Sequence, residues 1–154
     1  MKNLLYLCMA LCLTTISYAQ KINQKELQGK WNVAGFNSSG ISVDVKNGEV
    51  TLSPEMQAQL SPEAVTGLKA GMAEAVTQLK ASFITFSGQN LTVAIGSSNQ
   101  TGTYTIGDKD GKQVINFKKA DGTTSEFPVA IKDKNLYITF VDQGQQADFI
   151  FNKS

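Results

Sequence analysis

Apolar and polar residues alternate with a period of two through most of this chain, and two stretches break the alternation. Gly29-Lys30-Trp31-Asn32-Val33-Ala34-Gly35-Phe36 puts Trp31 and Val33 on one side of an expected strand. Ile41, Val43 and Val45 alternate before Asn47-Gly48, and Val50 and Leu52 alternate after it. Asn-Gly between alternating apolar residues predicts a hairpin with a type I′ turn, since both residues tolerate positive φ. After Phe83 the strand pattern returns. Phe83 to Phe86, Leu91 to Ile95, Thr101 to Ile106, Gln113 to Lys118, Thr123 to Ile131, Leu136 to Val141 and Gln146 to Phe151 are separated by turn chemistry such as Asp110-Gly111, Asp121-Gly122 and Asp133-Lys134-Asn135. Tight turns and short strands of this kind predict an up-and-down meander, and the Trp31 strand brings its expected count to eight.

The alternation also says which face is dry. Leu91, Val93 and Ile95 share a side, as do Ile115 and Phe117, then Phe127, Val129 and Ile131, then Leu136, Ile138 and Phe140. A sheet wet on one face buries the other most economically by closing on itself. The predicted fold is therefore mainly β, an eight-stranded antiparallel up-and-down barrel. Threonine, lysine, asparagine and glutamine at the outer positions exclude the apolar exterior of a transmembrane barrel. Pro128 lies inside the sixth strand of the meander, where it cannot donate to the ladder, so a bulge or an edge is expected there.

The first break in the alternation is a helical insertion at about residues 53–80. Ser53-Pro54-Glu55 and Ser61-Pro62-Glu63 each offer a capping hydroxyl, a proline for the first helical position and an acid near the positive helix end. Val65, Leu68, Met72, Val76 and Leu79 then fall on one stripe of the second helix. This stripe is expected either to cover the barrel or to gate a pocket, and the adaptable thioether of Met72 suits a pocket lining.

The second break is at the start. Met1-Lys2-Asn3, the apolar run from Leu4 to Ile16 and Ser17-Tyr18-Ala19 form the three regions of an export signal, with cleavage expected after Ala19. Residues 1–19 are thus an expected signal peptide and 20–154 a single domain, exported to the periplasm or beyond. The apolar run is too short to span a bilayer. Cys8 and Cys12, the only thiols, would leave with the signal, and so would Lys2. The remainder has 13 basic and 13 acidic residues, taken from totals of 14 and 13 less Lys2. A neutral, interspersed surface offers nothing to a phosphate backbone, so nucleic acid is not an expected partner.

Leu27-Gln28-Gly29-Lys30-Trp31 at the head of the first strand resembles the Gly-x-Trp signature of lipocalin-like domains, as found in bacterial secreted proteins. The order of short antiparallel strands is similar as well. The resemblance implies a ligand-holding calycin-type barrel whose tryptophan packs under a basic side chain near the end of the barrel. The classical family uses an arginine there. This chain has no arginine, which leaves Lys153 as the available cation.

Histidine is absent too, so Ser-His-Asp and Cys-His catalysis and His or Cys metal sites are excluded for the mature chain. Asp108 and Asp110 are the densest acid pair, but they flank Lys109 before Gly111 and read as turn residues. No enzyme activity, metal or cofactor is expected. The predicted activity is binding of a small apolar or amphipathic ligand, with Phe117, Phe127, Phe140 and Met72 as apolar lining and Tyr104 as a polar contact. The competing expectation is a solid barrel whose outer face or helix binds an envelope or secreted protein.

Overall fold

The computed structural model describes residues 21–142 and 144–154. The expected signal segment, Met1 to Ala19 with both cysteines, lies outside them, as does Gln143. The elements in order are α1 (Gln24–Leu27), β1 (Gly29–Ser38), β2 (Ile41–Asp44), β3 (Glu49–Leu52), α2 (Pro54–Ala58), α3 (Pro62–Gly71), α4 (Ala73–Lys80), β4 (Phe83–Ser87), β5 (Asn90–Ile95), β6 (Ser98–Lys109), β7 (Lys112–Lys119), β8 (Thr124–Lys132), β9 (Asn135–Asp142) and β10 (Gln145–Lys153).

β1 and β4 to β10 form the eight-stranded antiparallel closed barrel that the alternation predicts. Closure comes from β10 lying along β1, from Trp31 opposite Lys153 to Ser38 opposite Ala147. The other edge of β1 is shared. Gly29 to Asn32 pair with β4, whereas Gly35 to Ser38 pair with β2. A bulge at Ala34, between Val33 and Gly35, marks the change of partner. The β2–β3 hairpin is therefore a branch on the barrel rather than one of its staves, and the helices follow it.

That hairpin closes differently from the expected type I′ turn. Asp44 pairs with Glu49, which leaves four residues in the loop. Val45 is drawn into the core, only 2% exposed, with its N–H donating to the Ala34 carbonyl. The Asp44 carboxylate accepts from the Asn47 N–H and side-chain amide at 3.0 and 2.7 Å, and only Gly48 takes a positive φ, +72°. The two-residue turn with both φ positive occurs instead at Ser39-Gly40, at Asp110-Gly111 and at Asp133-Lys134.

One end of the barrel is closed by residues 21–28. Asn23 caps α1 in a reciprocal capping box with Glu26. Leu27 is buried, and its carbonyl accepts from Trp31 Nε1 at 2.7 Å. Lys153 lies over the Trp31 ring, Nζ 5.2 Å from the centroid, and donates to the Glu26 carbonyl at 3.1 Å. Lys153 is thus the cation expected over Trp31, with one cation–π contact and one hydrogen bond.

The helical insertion sits at the opposite end. Ser53 and Ser61 accept from the N–H groups of Met56 and Ala64, with prolines at the first helical positions as expected. The expected long helix is divided at Met72, directly after Gly71, the residue type that most weakens a helix interior after proline. The path continues through the break, since Met72 N–H donates to Leu68 and Val76 N–H to Met72. Val76 alone of the stripe is buried; Val65, Leu68, Met72 and Leu79 are half-buried. Ser82 fixes the end of α4. Its hydroxyl donates to Gln78 O at 2.8 Å and accepts from Gly96 N–H at 2.9 Å, and its carbonyl accepts from Val33 N–H at 3.1 Å.

Pro128 explains the remaining irregularity. The first half of β8 pairs with β7 as far as Val114 opposite Pro128, and the second half pairs with β9 from Val129 opposite Ile138. The strand changes partner at the residue that lacks an N–H, so the wall opens between β7 and β8 on one side of Pro128 and between β8 and β9 on the other.

Candidate functional site

Inward positions divide the barrel interior into two zones. Near the α1 end, Trp31, Ile84, Phe86, Ile115, Leu136 and Phe151 are almost completely excluded from solvent. Toward the helix end, Phe36, Val93, Ile95 and Phe140 occupy inward positions yet remain half-buried, as does Phe127 at mid-height opposite Ile115. Alternation explains why they point inward; the divided β8–β9 ladder and the partial helix cover explain why solvent still reaches them.

The structure brings three of the proposed lining residues together. Phe117 and Phe127 have ring centroids 6.3 Å apart, and Phe127 and Phe140 are 4.6 Å apart. Phe140 meets Phe149 edge-on at 5.2 Å, and Phe149 meets Phe36 edge-on at 5.0 Å. Edge-to-face and tilted pairs of this kind add modest attraction to the burial they share. Phe36 and Phe149 were not among the residues proposed from sequence, although Phe149-Ile150-Phe151 carries the same alternation as its neighbours. Met72 packs against this core from the helical insertion.

Tyr104 lies opposite Phe117 across the β6–β7 ladder. It is 3% exposed, with its ring edge-on to Phe86 at 5.0 Å, and its hydroxyl accepts from Gln28 Nε2 at 3.0 Å. Gln28 also grips the β4–β5 turn, donating to Gly88 O at 3.1 Å and accepting from Gly88 N–H at 2.7 Å. Burial pushes the Tyr104 hydroxyl above its ordinary pKa of 10.0, partly offset by the hydrogen bond from Gln28. Tyr104 is thus the cross-strand neighbour of Phe117, while its phenol oxygen turns toward the α1 end and is engaged there by Gln28.

Two clefts open on the outer wall. One of about 530 Å³ runs across β1, β2, β3 and β10 and is lined by Asn37, Ser42, Thr51 and Asp148. Its polar groups are partly spent within the protein, since Ser38 Oγ donates to Gln146 O at 2.9 Å and Thr139 Oγ1 donates to Asp148 at 2.7 Å. The other, about 410 Å³, lies where β7 and β8 part. There Gln113 accepts from Ile22 N–H at 2.5 Å and donates to Ile22 O at 3.1 Å, so that its amide acts as one more ladder residue for the lead-in. Gln113 has the parity of Ile115 and Phe117, which is the sequence signal for its inward position.

The Asp108 carboxylate pairs with Lys21 at 3.1 Å, and Asp110 occupies the turn with φ +50°. Among the described residues no group of three or more acids could hold a metal ion, and no helix is long and apolar enough to cross a membrane. Comparison with protein-family models, with curated proteins and with solved structures finds no match to this chain.

Proposed function

We propose that the protein is an exported, non-enzymatic, lipocalin-like carrier that takes a small apolar or amphipathic ligand into the helix end of its barrel. The observation that carries this reading is the set of inward-facing but half-buried side chains, Phe36, Val93, Ile95, Phe127 and Phe140, beneath an insertion whose Met72 is also half-buried. A barrel packed solid to its rim would bury them. Each exposed ring leaves apolar area that a ligand covers, at roughly 25 cal/mol for each Å² removed from water. The α1 end supplies a rigid floor, and the half-buried stripe on α3 and α4 supplies a cover that can adjust to the ligand.

Titration with the fluorescent apolar probe N-phenyl-1-naphthylamine tests this. Saturable enhancement is expected, weakened about tenfold by Met72→Glu, a change at the surface of the insertion that puts a charge over the apolar mouth. Native mass spectrometry of protein purified from its own host should show a co-purifying mass that solvent extraction removes. Failure of both, with selective capture of one envelope protein, would leave the solid interaction module as the better reading.

A further inference from the structure

The parting of β7 and β8 is a built feature with its own chemistry. The β7 residues before Val114 and the β8 residues after Pro128 have no ladder partners in each other. The cleft of about 410 Å³ at this place is in the size range of sites for small molecules. Its walls are apolar: Ile22 is 5% exposed, Val129 is 7% exposed, and Ile131 is half-buried. Its rim is cationic. Lys21 and Lys112 face the cleft together with Asp108, and Asp108 is engaged by Lys21. Among the described residues Lys112 has no carboxylate within ion-pair distance.

Two polar side chains that line the cleft are already engaged, Gln113 by Ile22 and Thr139 by Asp148. Gln113 is committed to both backbone groups of Ile22, so its amide is not left unpaired when a ligand's chain arrives. An apolar slot with one uncompensated ammonium at its rim selects an anion with a short apolar tail over a neutral or cationic one. We propose that this lateral cleft is a second binding site, separate from the helix end, for a single-chain amphiphile with a carboxylate head. The head meets Lys112, and the chain lies along Ile22, Val129 and Ile131. This goes beyond the carrier reading and does not rest on it, since the cleft lies on the other side of Pro128 from the mouth, where β7 and β8 rather than β8 and β9 have parted.

Methyl-labelled protein titrated with sodium decanoate below its micelle concentration decides the matter. Saturable shifts are expected on the Ile22, Val129 and Ile131 methyls. The affinity should fall at least about tenfold in Lys112→Glu, the loss expected for one charge-assisted contact. Lys112 is exposed, so the substitution leaves the fold intact, which the unchanged remainder of the methyl spectrum verifies. Decyltrimethylammonium should not bind there. Shifts confined to Met72 and Ile95 would overturn this proposal while supporting the carrier reading, and shifts at the cleft alone would do the reverse. Equal binding of the cationic amphiphile, or an unchanged affinity in Lys112→Glu, would also overturn it.

Discussion

Lys134 holds a left-handed backbone, φ +65°, in the turn between β8 and β9, directly after Asp133 at +52°. A side chain with a Cβ costs about 1 kcal/mol or more in that region, and an aspartate tolerates it better than a lysine. Lys134→Gly should therefore raise stability by about 1 kcal/mol in urea unfolding, with an unchanged slope. Gly102 gives the opposite case. Its φ is unexceptional, but a Cβ there would collide with the carbonyl oxygen of Lys118 and lie 2.8 Å from the carbonyl carbon. Because backbone cannot step aside as a side chain can, Gly102→Ala should cost on the order of 2–3 kcal/mol and lower the denaturation midpoint. Both effects were only partly legible beforehand. Asp133-Lys134-Asn135 reads as a turn from composition, yet nothing in it says that lysine takes the left-handed position. Gly102 sits within an alternating run, and its need for glycine comes from β7, seventeen positions away at Lys119.

Among the elements, the helical starts were the most readable, because Ser-Pro-Glu combines cap, proline and charge in three residues. Glu55 and Glu63 are held below the ordinary carboxylate value of 4.5, each first by its own backbone N–H and then by the capping serine. Folded values below the unfolded ones mean that this stabilisation is complete above pH 4.5 and is lost as pH falls through the lowered values. Acidification below 4.5 should therefore fray α2 and α3 before the barrel, seen as loss of helical circular dichroism with the Trp31 signal unchanged. Gln113→Ala tests the clamp on the lead-in. It leaves the Ile22 N–H and carbonyl without their partner, at a cost of about 1–3 kcal/mol, and should speed amide exchange at Ile22 by a corresponding factor. Element-level reading failed where two elements compete for one residue. The Asn47-Gly48 turn gives way because Val45 is worth more in the core than in the ladder. The single long helix divides because Gly71 precedes Met72. Pro128 was flagged from sequence as a bulge or an edge, but a change of partner could not be seen without knowing that β8 has neighbours on both sides.

At the scale of the molecule, alternation made the barrel legible because one dry face admits few other closures. The site was less legible: Phe117, Phe127 and Phe140 do meet, and Tyr104 stands opposite Phe117, but parity fixes a residue's face and not where its polar tip reaches, and the Tyr104 hydroxyl is taken by Gln28. The two zones of the interior should also differ in exchange. Amides of Trp31 and Leu136 should exchange only through global unfolding, and those of Phe127 and Phe140, beside the open ladder, through local opening. Hydrogen exchange read by mass spectrometry at increasing urea would separate the two classes.

The joining of β1 to β10 has a temporal consequence. Trp31 finds its cover in Lys153, and Val33 its partner in Phe151, across more than a hundred intervening residues. No barrel can exist until β10 has left the ribosome, and a fold dominated by such distant pairings takes on the order of milliseconds to seconds to form. A chain that has not yet made this seam leaves its phenylalanines without their final cover, the condition in which partly folded chains are prone to aggregate.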